Sequence, residues 1–289
     1  MKNLPVPNIP TNDVYYKRQL SFYMFNIHVL STAESYFFTY DQTIAKKGAD
    51  DVVSMLYHFC KNILPPEVRH LDIFCDSCAG QNKNYTLFRS LHHLVHDLDR
   101  FDTVQVTFPI RGHSYMECDK NMGLINTKVR IEQPSQWNEH VRTSRSKPSP
   151  FTVIECDRSL FKHWSKYFLT TSYKKKASFQ TRPIIEILFE KQHPRTVQLR
   201  ESYSGSWESH IILDKKKKKT SVGQNRNREA EEPELLYEGP IPIPKKKFDN
   251  IMFLSRFCGP EAKLFYQNLK IVDQDNDEDD EDVFLEDAN

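Results

Sequence analysis

The chain has 289 residues, a hydrophobic fraction of 38% and a formal net charge of +1. That is long enough for one large domain or two small ones, yet low enough in apolar content that part of it is expected as unpacked tail and loop. The near-zero net charge hides segregation, because Lys215 to Lys219 is a basic run while residues 273–287 are strongly acidic.

Residues 1–14, with Pro5, Pro7 and Pro10, read as an extended lead-in, since proline gives no donor to a helix or a sheet ladder. The segments 19–30 and 34–40 are rich in aromatic and β-branched residues about a short Ser-Thr-Ala turn, which predicts an antiparallel hairpin. Val52, Met55, Leu56 and Phe59 follow acidic residues at helical spacing, which predicts a helix over 49–62 that Pro65-Pro66 ends. A strand over 71–75, a helix over 86–98 and a strand over 103–108 follow, then a helix after Asp119 through Ile125. Trp137 to Val141 and Leu160 to Leu169 read as helices, and 151–156, 183–189 and 196–199 as strands. An amphipathic pattern runs from Lys246 to Asn268.

This order suits an α/β fold in which the hairpin and the strands 71–75 and 103–108 share one mixed sheet, with the helices 49–62 and 86–98 packed on it. Composition divides the chain into a core over 1–172, an irregular extension over 173–269 with a charged linker at 214–234, and an acidic tail over 270–289 expected to be disordered.

Two polar segments carry the candidate chemistry. The first, His70-Leu-Asp-Ile-Phe-Cys-Asp-Ser-Cys-Ala-Gly-Gln-Asn-Lys-Asn84, places Asp76 at the carboxyl end of a strand, where ligands bind in open α/β sheets. The competing reading is that Asp76 caps the following turn or helix. The second, Pro109 to Gly123, carries Arg111, His113, Glu117 and Asp119 after a neighbouring strand, so the two segments are expected on one sheet edge. Carboxylates converging there suit Mg²⁺ or Mn²⁺ and metal-assisted phosphodiester chemistry, with His113 as a proton carrier; the alternative is a loop in which these groups satisfy backbone. Cys75-x-x-Cys78 has metal spacing, with His113 and Cys118 as the available partners, against the alternative of buried free thiols. His92 and His96 have helical metal spacing but lack a third ligand nearby, so a helix-face role is favoured.

Further motifs are Asn3-Leu-Pro-Val-Pro7, Tyr16-Lys-Arg-Gln-Leu20, Lys47-Gly48, Gly112-His-Ser-Tyr-Met-Glu-Cys-Asp119, Tyr203-Ser-Gly-Ser-Trp207, Tyr237-Glu-Gly-Pro240 and Lys246-Lys-Phe-Asp249. With the Asp76 block they resemble a transposon-derived domain family scattered through animal genomes, over residues 3 to about 269. The order of elements is similar to the ribonuclease H-like fold of transposases and integrases. The resemblance implies Asp76 as the second acid of a metal-binding triad and Asp119 as the third, both ligating Mg²⁺ or Mn²⁺. The first acid is implied immediately before the Leu-Pro-x-Pro segment, so that acid and its strand are expected to be missing. Two further departures are Gln42, beside Asp41, and Asn126, where relatives carry Glu. The implied domain is therefore degenerate, with weak or no catalysis, since magnesium binds isolated carboxylates poorly.

Lys83, Arg111, Lys215, Lys216 and Lys217 are candidate nucleic-acid contacts, and the lysine runs at 174–176, 215–219 and 245–247 suit phosphate contact or nuclear import. The alternative function is a nuclear module that binds nucleic acid or protein without catalysis. Six scattered cysteines and no apolar leader suggest an intracellular, reducing compartment, and no stretch approaches the roughly 20 apolar residues of a membrane helix. No segment marks an oligomer interface.

Overall fold

In this computed structural model the described residues are 1–110, 112, 115–171, 173–214 and 233–273. Along the chain run β1 (Lys2–Val6), β2 (Leu20–Val29), β3 (Glu34–Asp41), α1 (Ala49–His58), β4 (His70–Phe74), α2 (Tyr85–His96), β5 (Thr103–Thr107), α3 (Glu117–Leu124), α4 (Pro134–Thr143) and β6 (Thr152–Glu155). There follow α5 (Trp164–Thr170), β7 (Glu186–Glu190), β8 (Thr196–Arg200), β9 (Glu208–Ile211), the short β10 (Ile243–Pro244), α6 (Lys245–Ser255), α7 (Pro260–Gln267) and the short β11 (Ile271–Val272). The class is mixed α/β, as expected. The amphipathic pattern over 246–268 is carried by two helices, α6 and α7, with Pro260 in the first turn of α7. Among the described residues no helix is long and apolar enough to cross a membrane.

The chain forms two compact units, the first from Met1–Lys47, Tyr115–Ser159 and the segment from Tyr237, the second from Gly48–Ser114 and Leu160–Leu236. Both units draw on residues from either side of position 172. The linker expected at 214–234 and the acidic tail fall largely outside the described residues.

The first unit holds a sheet of order β1-β2-β3-β6, in which β1, β2 and β3 are antiparallel neighbours and β6 runs parallel to β3. Residues 2–6, expected as lead-in with no strand before the hairpin, instead pair with β2. Pro5 is tolerated because β1 lies at the sheet edge, and Leu4 and Val6 alternate into the core. Phe22, Phe37, Trp137, Ile251 and Tyr266 belong to one buried cluster, and the Trp137 indole N–H donates to the Pro5 carbonyl at 3.1 Å.

A buried polar network crosses this unit. The Arg145 guanidinium donates to Ser35 Oγ at 3.1 Å and to the Ala33 carbonyl at 3.1 Å, while the Asn121 amide donates to the same Ser35 Oγ at 2.9 Å. Both lone pairs of that hydroxyl are then taken, so its proton points to His28 Nδ1, 2.7 Å away. His28 must accept there and is held neutral. Burial lowers its pKa, Glu117 opposes this, and Arg145 and Lys120 reinforce it.

The second unit holds a sheet of order β4-β5-β7-β8-β9; β4 and β5 are parallel and the remaining pairs antiparallel. The single sheet expected to join the hairpin to the strands 71–75 and 103–108 is therefore corrected to two. β3 pairs with β6, and β5 pairs with β7, whose Ile187 and Phe189 are fully buried. α2 packs on β5 and β7, with Phe88 edge-on to Phe108 at 6.2 Å between centroids.

His92, 1% exposed on α2, shares a 3.0 Å hydrogen bond with the Tyr173 hydroxyl. Burial, with neighbouring His96, pushes its pKa down to about 3. Both His28 and His92 thus bind protons less readily folded than unfolded, so their contribution is complete above the unfolded value near 6.5 and is lost as pH falls below it. The expected outcome is a urea midpoint that drops between pH 7 and pH 5, with a shallower drop in His92→Gln. A midpoint that is flat or rises on acidification would contradict this.

Candidate functional site

Because β4 and β5 are parallel neighbours, the segments that follow them leave the same sheet edge, as expected from sequence. The Cys75 N–H carries the pairing one step further, donating to the Thr107 carbonyl at 3.3 Å. The chain then folds about two acceptors. The Cys78 carbonyl takes the N–H groups of Gln81, Asn82 and Lys83 at 3.2, 2.8 and 3.0 Å. Asp76 Oδ1 takes the Cys78 N–H at 3.2 Å and the Asn82 side-chain amide at 2.6 Å. Asn84 is the N-cap of α2, accepting from the Leu87 N–H at 2.9 Å, while its amide group donates to the Ala79 carbonyl at 3.0 Å. The Gly-Gln-Asn-Lys-Asn block is thus a loop whose short amide side chains replace the hydrogen bonds that a regular element would supply.

Asp76 is exposed at the end of β4, and one of its oxygens is engaged by its own loop. The acid that shares its sheet edge is Glu186, which sequence reasoning missed. Paired with Thr107 in the ladder and 5% exposed, it accepts from Gln105 at 3.1 Å and from the Thr107 hydroxyl at 3.2 Å, and it pairs with Arg200. A buried carboxylate so saturated is a structural anchor. Nothing in the run Pro183-Ile-Ile-Glu186 distinguishes it from an exposed strand-end acid.

Lys83, expected at a nucleic-acid surface, is corrected to an interior position. It is 6% exposed, its ammonium donates to the Arg182 carbonyl at 3.0 Å, and it lies 4.8 Å from the centroid of Phe108. Burial lowers its pKa, and Cys75 opposes the shift. Burial, reinforced by Asp76, pushes the Cys75 thiol up.

Asp119 belongs to the first unit, where α3 begins before it rather than after it. It occupies the third helical position and accepts from the Met116 N–H at 2.8 Å, satisfying a donor at the start of α3. Arg111, His113, Lys215, Lys216 and Lys217 lie outside the described residues. Among the described residues no group of three or more His, Cys, Asp and Glu side chains is arranged to hold a metal ion. The Asp76 loop supplies one half-engaged carboxylate, whereas Mg²⁺ takes six oxygens in strict geometry; this donor set does not fit a two-metal centre, and no step is derived through one.

A family model described as Domain of unknown function (DUF7869) matches residues 16–181, more than half of the chain. No curated protein and no solved structure matches the chain.

If Asp119 acts as a cap, Asp119→Ala should lower stability by about 1 kcal/mol, while Asp119→Asn, which keeps an acceptor oxygen, should lose less than half of that. Urea titration of both variants checks this; equal losses would remove the capping role.

Proposed function

The chain belongs to the DUF7869 family, and we propose that within it this protein is a transposon-derived, degenerate ribonuclease H-like domain that holds nucleic acid rather than cutting it. The motifs quoted above support the descent. The observation that carries the loss of catalysis is the state of the Asp76 carboxylate. Oδ1 closes its own loop through Cys78 and Asn82, and the acid at the same sheet edge, Glu186, is saturated. Asp119, the residue implied as a further ligand, serves as a helix cap.

A protein that keeps the scaffold without the metal chemistry can still bind phosphates. The lysine run Lys215 to Lys219 supplies the charge in a sequence-independent manner, and the same run suits import into the nucleus.

The chemistry is tested by incubating the full chain with Mg²⁺ or Mn²⁺ and a DNA substrate beside Asp76→Ala. No difference between the two is expected, and cleavage that vanishes in Asp76→Ala would restore the enzyme reading. For binding, replacing Lys215 to Lys219 by Gln should weaken duplex affinity and flatten its salt dependence, by about 0.9 in log–log slope for each phosphate that is no longer neutralised. An unchanged slope would assign that run to another role.

A further inference from the structure

Tyr15 and Tyr16 are 83% and 84% exposed, adjacent in sequence, and carried at the end of a short 3-10 turn, Asn12–Tyr15. The turn is fixed rather than loose. Thr11 Oγ1 accepts the Asp13 N–H at 3.3 Å, the Tyr16 N–H donates to the Asp13 carbonyl at 3.0 Å, and Val14 packs against the buried cluster of the first unit. With Val14 turned inward, the two rings that follow it are presented to solvent. The carboxylate of the turn, Asp13, is drawn back onto the Thr11 hydroxyl at 3.2 Å.

The next residue joins this turn to α6. The Lys17 ammonium sits 4.6 Å from the centroid of Phe253, and the Arg256 guanidinium lies 3.4 Å from the same ring and 5.2 Å from that of Phe257. One aromatic ring thus gathers two cations, and among the described residues neither forms an ion pair. Arg256 and Phe257 are both exposed. Aromatic faces interleaved with uncompensated cations are what a single strand of nucleic acid requires, because every base offers a π-face and every linkage a negative charge.

We propose that the surface built from Tyr15, Tyr16, Lys17, Phe253 and Arg256 binds single-stranded nucleic acid, with bases stacking on the tyrosines and phosphates held by Lys17 and Arg256. A duplex keeps its bases stacked inside and cannot use the tyrosine rings, so the surface selects unpaired strands. An acidic peptide satisfies the cations but leaves the two rings without partners. This site is distinct from the lysine run and does not depend on it.

The test is fluorescence anisotropy of the full chain with a labelled oligothymidylate and with a duplex of equal length. Tyr15→Ala/Tyr16→Ala should weaken single-strand binding at least about tenfold and change duplex binding less than about twofold, while Tyr15→Phe/Tyr16→Phe should retain single-strand binding. Lys17→Ala/Arg256→Ala should weaken it too and lower the salt slope by about 1.4, the equivalent of two single-strand phosphates. The proposal is overturned if the chain does not bind the oligothymidylate, if the alanine pair binds it as the parent does, or if polyglutamate displaces it as readily as unlabelled oligothymidylate. The tyrosines are exposed, so their replacement leaves the fold intact, which circular dichroism verifies. Replacing Lys215 to Lys219 by Gln separates the two readings. Tyrosine-dependent single-strand binding that survives this change, beside unaltered duplex binding, supports this surface and removes the lysine run. Lysine-dependent duplex binding without tyrosine-dependent single-strand binding does the reverse.

Discussion

Backbone pairing on both sides of β5 is the constraint on which the second unit depends. β5 lies parallel to β4 on one side and antiparallel to β7 on the other, so it has no free edge and fixes where its neighbours end. The parallel pairing brings the residues after β4 and β5 to one edge, and the antiparallel pairing delivers Glu186 to that same edge from the opposite chain direction. Once the edge is set, the loop after β4 must turn sharply into α2, and its N–H groups need acceptors. The Cys78 carbonyl and the Asp76 carboxylate provide them. An acceptor in this position is therefore used by the loop itself, before any ligand is considered.

Much of the local structure was legible because it follows from residue type and spacing. Aromatic and β-branched content marks β2 and β3, and the spacing of Leu87, Leu91, Leu94 and Val95 on α2 buries the face it predicts. What could not be read was partnership. Nothing in Thr103-Val-Gln-Val-Thr107 states that its second neighbour lies some 80 residues later at Glu186, and sequential strands are neighbours only as a tendency. Two side chains were misjudged for a similar reason. Met116 gives no sign of a helix start, which hid the capping role of Asp119, and a lysine reads as surface, which hid the packing of Lys83 over Phe108. β1 was hidden by its proline, which an edge strand accommodates.

The first unit shows the same economy in its polar interior. Arg145 bonds Ser35, Asn121, Ser149 and the Ala33 carbonyl, the last in a hairpin turn where Ala33 adopts φ 57°. An alanine in the left-handed region is disfavoured by its Cβ, so a buried guanidinium fastened to its carbonyl helps to hold the turn that joins β2 and β3. The network also imposes a tautomer on His28. Structure and protonation are linked there through a single serine hydroxyl that has only one proton to give.

These placements change how the positive charge of the chain should be counted. Arg100 donates to the carbonyls of Cys60, Leu64, Pro65 and Val68, and so gathers the C-terminal end of the helical segment after α1. Arg89 holds the carbonyls of Lys174 and Lys175, Lys83 holds that of Arg182, and Arg145 closes the hairpin. Each of these cations is committed to backbone oxygens, and withdrawing it would part a charge from the acceptors that compensate its burial. They cannot serve phosphates without unfolding what they fasten. Clustered lysines and arginines in a sequence therefore overstate the charge available to a partner. What remains is the charge presented outward, and in the first unit the cations at Lys17 and Arg256 are set on an aromatic ring rather than against a carboxylate. A ring stabilises a cation by its quadrupole without neutralising it, so the charge keeps its reach toward an anionic ligand, whereas an ion pair would cancel it.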